Sequence, residues 1–200
     1  KATIQNFLTD RNYRFQSWIN RILNSETPKP NRAHFALVDL EKKGKLSTLI
    51  TQNIDSLHLQ AGTNIERLIE IHGTTRDFIC LECSDRGPIE EVLLRVEEGE
   101  DDPVCKKCGG ILKSATISFG QSLNSEDIDR ANTATRECDL FIAIGTSLTV
   151  YPGAALPQIA LQSGAGLIIL NDGDTPYDGL ATEKIAANIG DVLPSIVNLI

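Results

Sequence analysis

DLFIAIGTSLTVYP, residues 139–152, contains an unbroken apolar run from Leu140 to Ile144 that ends at Gly145-Thr146-Ser147. Five apolar residues without alternation describe a strand covered on both faces, closed here by the glycine. Working outward, a helix is expected near Ala154 to Gln162 and another buried strand from Gly166 to Asn171. Upstream, Asn124-Ser125 with Glu126 and Asp127 opens a polar helix reaching Arg136, since a capping side chain and acids suit a helix N-terminus. His34 to Lys43 predicts an amphipathic helix ended by Gly44. Leu46 to Ile50 predicts a buried strand, and the alternation Ile65, Arg67, Ile69, Ile71 predicts another that stops at His72-Gly73. Residues 3–24 take up helical spacing in their later part, Pro28 and Pro30 break the chain, and Val192 to Leu199 forms a last helix. Buried strands separated by helices give an α/β fold with a Rossmann-like parallel sheet, which takes its ligands at the carboxyl ends of the strands.

Those strand ends are polar. Thr51, Gln52, Asn53, Ile54 and Asp55 follow one strand, Gly145, Thr146 and Ser147 a second, Asn171 and Asp172 a third. Taken singly, each is also ordinary turn composition. Together they favour a nucleotide site, with Gly-Thr-Ser amides turned to a phosphate and Asn171 to a ribose hydroxyl. The Gly-x-Gly-x-x-Gly fingerprint is absent from all 200 residues.

Four of the five cysteines fall as Cys80-x-x-Cys83 and Cys105-x-x-Cys108, with 21 residues between the pairs. Two residues between thiolates let both sulfurs of a tight turn face one cation, and two such turns complete a tetrahedral S4 zinc site. Zinc there is structural, because no position is left open for water. Two disulfides are the alternative. Cys138, before the apolar run, is expected to be a small buried hydrophobe.

Composition narrows the function classes. Acidic residues outnumber basic ones 27 to 19, for a formal charge of -8, so a nonspecific grip on nucleic acid is disfavoured and a basic, lysine-bearing partner suits the balance better. No apolar run approaches the roughly 18 residues of a membrane span, and KATIQNFLTD has no apolar signal core, so membrane and export are not expected and a cytoplasmic setting is. Nothing in the sequence sets an oligomeric state.

TQNIDSLHLQAG (Thr51 to Gly62), IHG (Ile71 to Gly73), the two cysteine pairs, SFG (Ser118 to Gly120) and GTSLTVYP (Gly145 to Pro152) together resemble the sirtuins from about Asn31 onward. The resemblance implies an NAD-dependent protein lysine deacylase. Its Rossmann-like domain would comprise residues 1–73 and 118–200, and its small zinc-binding domain residues 74–117. It implies transfer of the acyl oxygen to C1′ of the nicotinamide ribose with release of nicotinamide, followed by activation of a ribose hydroxyl by a base, His72. Asn53 and Asp55 complete the implied catalytic set. Implied cofactor contacts are Gln52, Asn53, Ile54, Asp55, Gly145, Thr146, Ser147, Asn171, Asp191 and Val192. The acyl-lysine peptide is implied to bind as an added strand along Ile117, Phe119, Gly120, Val150 and Tyr151. His34 and His58 are read as packing or capping residues.

Three departures accompany the resemblance. Sirtuins begin with a strand, a Gly-Ala-Gly cofactor loop and a Gly-x-Pro-Asp-Phe-Arg segment that do not precede Lys1, so the segment is expected to be incomplete and to bind NAD weakly alone. KSATISFGQ stands where many sirtuins have Arg-Pro-x-Val-Val-x-Phe-Gly-Glu. Trp18-x-x-Arg21 stands where the demalonylase type has Tyr-x-x-Arg, which favours neutral acyl groups. The other readings of the residues are an NAD hydrolase or ADP-ribosyltransferase using the same cofactor site, and a noncatalytic zinc-ribbon interaction module.

Overall fold

In chain order the helices are α1 (Ile4–Thr9), α2 (Arg11–Leu23), α3 (Arg32–Lys42), α4 (Leu57–Ala61), α5 (Glu90–Glu97), α6 (Ser125–Glu137), α7 (Leu156–Gln162) and α8 (Ile189–Leu199). The strands are β1 (Leu49–Thr51), β2 (Leu68–Glu70), β3 (Gly73–Cys80), β4 (Arg86–Pro88), β5 (Leu112–Thr116), β6 (Leu140–Ile144), β7 (Gly166–Leu170) and β8 (Glu183–Ile185). This is a computed structural model that describes residues 3–24 and 28–200. Contacts divide the chain into two units, one of residues 1–28, 53–56 and 72–123, the other of residues 29–52, 57–71 and 124–200.

The first unit is built on an antiparallel sheet in the order β4-β3-β5. Its core gathers Phe7 and Trp18 from the N-terminal helices with Phe78, Cys80, Val92, Val96, Cys105 and Leu112. The hydrophobic residues of 3–24 therefore pack on the cysteine-bearing segment. Thr3 caps α1, and Asp10 ends it while capping α2 by accepting from the Tyr13 amide at 3.0 Å. One turn into α2, the nearly buried Arg14 donates through Nε and Nη2 to both carboxylate oxygens of Asp102, at 2.8 and 2.6 Å, and through Nη1 to the Phe7 carbonyl at 2.9 Å. A planar guanidinium fits that fork and an ammonium does not. Nearly buried Trp18 keeps its indole N–H without a partner among the described residues. Burial pushes the pKa of Arg21, one turn on, below its usual value.

The second unit carries two parallel pieces of sheet, β1-β2 and β6-β7-β8, with β6 and β7 in full five-residue register from Leu140↔Gly166 to Ile144↔Leu170. Leu167 and Ile169 of β7 are completely buried, as a strand covered on both faces requires. The inner faces of α3 and α8 (Ala33, Ala36, Leu37 and Leu40; Leu193 and Val197) close over Leu170. α3 starts at a capping box in which the Asn31 carboxamide accepts from the amides of Ala33 and His34 while the His34 ring accepts from the Asn31 amide. Gly44, at φ +69°, ends it as expected.

Two strands differ from the sequence expectation. The alternation at Ile65, Arg67, Ile69 and Ile71 is broken by a 3-10 turn over Ile65–Arg67, because Asn64 accepts from the Glu66 amide at 2.9 Å and turns the chain. Ile65 is consequently 62% exposed and only Leu68–Glu70 pairs with β1. β1 itself begins at Leu49, since the Leu46 carbonyl instead accepts the Arg67 guanidinium at 2.5 Å. Cys138 is half-buried, its thiol donating to the Thr135 carbonyl at 3.3 Å.

Candidate active site and metal centre

The cysteine pairs lie on two tight turns at the ends of β3 and β5. The Cys83 amide donates toward the Cys80 sulfur at 3.5 Å, and the Lys107 and Gly110 amides toward Cys105 and Cys108 at 3.4 Å each. All four sulfurs lie within 4.8 Å of one another, with Cys80 to Cys108 at 3.5 Å and Cys83 to Cys105 at 3.7 Å. Zinc with bonds of about 2.3 Å holds tetrahedral sulfurs about 3.8 Å apart, whereas a disulfide requires about 2.05 Å. The four thiols are unbridged and placed to bind zinc, which removes the two-disulfide alternative. Amide donors of this kind stabilise thiolate charge and orient the ligands. Glu82 adds a brace that sequence reading missed: its carboxylate accepts from the Ile111 amide at 2.8 Å, tying one knuckle to the other.

His72 and the Asn53–Ser56 segment belong to the same unit. His72 is half-buried, immediately before Gly73, and its carbonyl accepts from the Ile117 amide at 2.8 Å. Gly73 sits at φ +74°, and a Cβ there would meet the Ala115 carbonyl oxygen at 2.0 Å. Only glycine allows the turn to lie so close to β5. The Ile54 carbonyl accepts from the Thr75 amide at 3.0 Å and from its hydroxyl at 2.9 Å. Ser56, at φ +63°, bonds through its hydroxyl to that of the fully buried Thr74 at 3.0 Å, and Arg76 Nε donates to both, at 3.0 and 3.1 Å. Asn53 and Asp55 therefore stand on a loop pinned to the first residues of β3, the strand that begins next to His72. Ser56, Thr74 and Arg76 were not singled out from the sequence, because three polar residues without a motif spacing carry no signal. Ile117, Phe119 and Gly120 follow β5 in this unit; Phe119 is 63% exposed, and its backbone carbonyl accepts from the Ile4 amide at 3.0 Å.

The second unit gathers the other group at the carboxyl ends of its parallel strands. Gln52 follows β1 and donates to the Thr146 hydroxyl at 3.3 Å. Gly145, at φ +60°, closes β6 with its amide on the Leu170 carbonyl at 2.9 Å, and a Cβ there would come within 3.1 Å of Ile189. Ser147 and Thr149 share a hydrogen bond of 2.8 Å. Asn171, after β7, donates to the Gly173 carbonyl at 2.9 Å. Asp191 and Val192 lie in the first turn of α8, where Asp191 pairs with Arg32 at 2.8 Å and the Val192 amide is taken by the Asn188 carbonyl. Val150 and Tyr151 are 51% and 73% exposed.

A model described as the Sir2 family matches residues 2–152. The chain belongs to the Sir2 family. Among its relatives, the NAD-dependent protein deacetylase 2 of Streptomyces coelicolor is 43% identical over 200 residues, covering 98% of this chain and 82% of that protein. A solved Sir2 bound to acetylated peptide superposes with a TM-score of 0.89 at 32% identity, covering 98% of this chain and 82% of that one. A complex described as Sir2, p53 peptide and NAD+ gives a TM-score of 0.88 at 32% identity, covering 98% and 81%. Sir2-family membership agrees with the combination of four-cysteine centre, parallel sheet and TQNID loop found here.

Proposed function

We propose that the chain is an NAD-dependent protein lysine deacylase that carries structural zinc. The observation that carries this reading is the double hydrogen bond from Thr75 to the Ile54 carbonyl, which fixes the loop bearing Asn53 and Asp55 to the strand starting beside His72. Bound NAD would supply an electrophilic C1′ on its nicotinamide ribose, with nicotinamide as leaving group. Gln52, Gly145, Thr146, Ser147, Asn171, Asp191 and Val192 would hold the cofactor. The fit rests on the chemistry of the strand ends: hydroxyls, carboxamides and a glycine turn that carries no Cβ. Asn53 and Asp55 would orient the nicotinamide end, and His72 would take the proton from a ribose hydroxyl.

Phe119 in the first unit, and Val150 and Tyr151 in the second, are each exposed, which suits a peptide-binding role. The carbonyl of Ile117 would accept the substrate lysine amide, and the acyl groups favoured are neutral ones. The zinc module at 74–117 would be an insertion in the cofactor-binding fold. Four unbridged thiols suit a reducing, cytoplasmic setting. The test is His72→Ala in the full-length, zinc-loaded protein, assayed with an acetyl-lysine peptide and NAD. Turnover should fall about 10²- to 10⁴-fold, with zinc content and Trp18 emission unchanged. Near-normal turnover in the variant removes His72 as the base and with it this mechanism.

A further inference from the structure

Lys113 is a lysine where physical chemistry disfavours one. It lies in β5 with 2% of its surface exposed and forms no ion pair among the described residues. Its amine donates to the Ser114 carbonyl at 3.2 Å and to the Thr116 carbonyl, and lies 6.0 Å from the centre of the Phe7 ring. A desolvated ammonium without a carboxylate is costly. Burial, with the nearby Arg21 guanidinium adding repulsion, lowers the amine's pKa to about 8.

The ladder explains what the amine does. β3 and β5 pair regularly from Cys80↔Leu112 to Phe78↔Ser114, then lose register until Gly73↔Thr116. Residues 74–77 thus face Ala115 alone, and β5 is an edge strand, so the carbonyls of Ser114 and Thr116, the paired residues on either side of the irregularity, are open to a side-chain donor. Lys113 supplies the donors. The next residue after Thr116 is Ile117, whose amide bonds the His72 carbonyl at 2.8 Å.

We propose that Lys113 is a positioning residue for the acyl-lysine site: its buried amine fixes the Ser114 and Thr116 carbonyls where β5 loses its ladder, so that Ile117 and His72 are held in one geometry. The proposal rests on the deacylase reading for its kinetic consequence, but not for its structural one. Lys113→Met removes the donors while keeping a long apolar stem that can still pack on Phe7.

The experiment compares Lys113→Met and Lys113→Arg with the unaltered zinc-loaded protein by amide hydrogen exchange at Ile117 and by steady-state kinetics. In Lys113→Met, exchange at Ile117 should rise about tenfold or more. The kcat/KM for acetyl-lysine peptide should drop about 10- to 100-fold, the loss expected for one charge-assisted hydrogen bond. The KM for NAD should stay within about twofold and zinc at one equivalent, and Lys113→Arg should recover most of both losses. Unchanged Ile117 exchange in Lys113→Met overturns the proposal, as does an equal loss toward peptide and NAD. If Lys113→Met does not retain zinc, Lys113→Leu, which likewise lacks a donor, decides by the same two readings. An unaltered full-length protein that turns over no acyl-lysine defeats the deacylase reading instead, and the exchange measurement still judges Lys113.

Discussion

Gly73→Ala should be among the most damaging single-methyl additions in the molecule. The new Cβ would lie 2.0 Å from the Ala115 carbonyl oxygen and 3.0 Å from both the Ala115 carbonyl carbon and the Thr116 Cα. Ordinary contact needs more than about 3 Å, so backbone has to move by about 1 Å or more, and the nearest atoms are main chain rather than a yielding side chain. Movement there opens the Gly73↔Thr116 pairing and strains the Ile117-to-His72 hydrogen bond next to it. An L-residue in this left-handed conformation costs about 1–2 kcal/mol, and losing the adjacent Ile117-to-His72 hydrogen bond adds about 1–3 kcal/mol. The sum, about 2–5 kcal/mol, is a large part of the roughly 5–15 kcal/mol that holds a domain folded.

Gly99→Ala is the matched control, because Gly99 has φ +102° in the same unit but nothing within 4 Å of an added methyl group. It should cost only the conformational part. Trp18, the sole tryptophan and 1% exposed, reports unfolding of this unit by its fluorescence. With a urea slope of about 2 kcal/mol per molar, Gly73→Ala should lower the midpoint by about 1–2.5 M and Gly99→Ala by less than about 1 M. Equal midpoints for the two variants would refute the reasoning, since only the contact with β5 distinguishes them.

Removing zinc with a chelator at neutral pH should shift Trp18 emission to the red while the far-UV signal of the parallel strands largely persists, because Cys80 and Cys105 share a core with Trp18; an unchanged emission from metal-free protein contradicts this. Asp178→Asn should lower the urea midpoint at pH 7, since Lys184 at 2.5 Å and the Thr175 hydroxyl hold the Asp178 carboxyl down to about 2. A depressed carboxyl stabilises above its unfolded pKa of about 4 and loses that contribution as pH falls toward 2, so the two proteins should converge in acid, and a gap that persists there counts against the pairing.

Features encoded over a few neighbouring residues were readable from sequence. Each cysteine pair makes its own knuckle, Leu140–Ile144 declares a buried strand without help, and Asn31, Gly44 and Asn124 do their capping within three residues. Features that depend on distant partners were not. Nothing at Arg14 announces Asp102, 88 positions away, and without that fork the association of the N-terminal helices with the zinc module is invisible. Lys113 was silent for a different reason. Its partners are backbone carbonyls, which every residue has, so no residue type marks them. The strand expected over residues 64–71 is cut short because alternation takes no account of Asn64, whose side chain competes for the backbone and wins locally.

TQNID was the most legible stretch because it meets the densest set of local demands. Thr51 ends β1, and its carbonyl accepts from the Ile71 amide at 3.1 Å, while Gln52 reaches the Thr146 hydroxyl; both bonds lie within the parallel-sheet unit. From Asn53 onward the anchoring changes. Ile54 and Ser56 bond to Thr74, Thr75 and Arg76 in the zinc-bearing unit. Six consecutive residues must therefore satisfy two sets of partners and tolerate a left-handed Ser56 at φ +63°. Few sequences meet all of that together, whereas a helix face accepts many apolar combinations. The density of constraint, rather than any single residue in it, is what makes the segment diagnostic, and it predicts that substitutions at Ile54 that keep the backbone intact will be tolerated better than a proline at Thr75, which deletes the amide bonded to the Ile54 carbonyl.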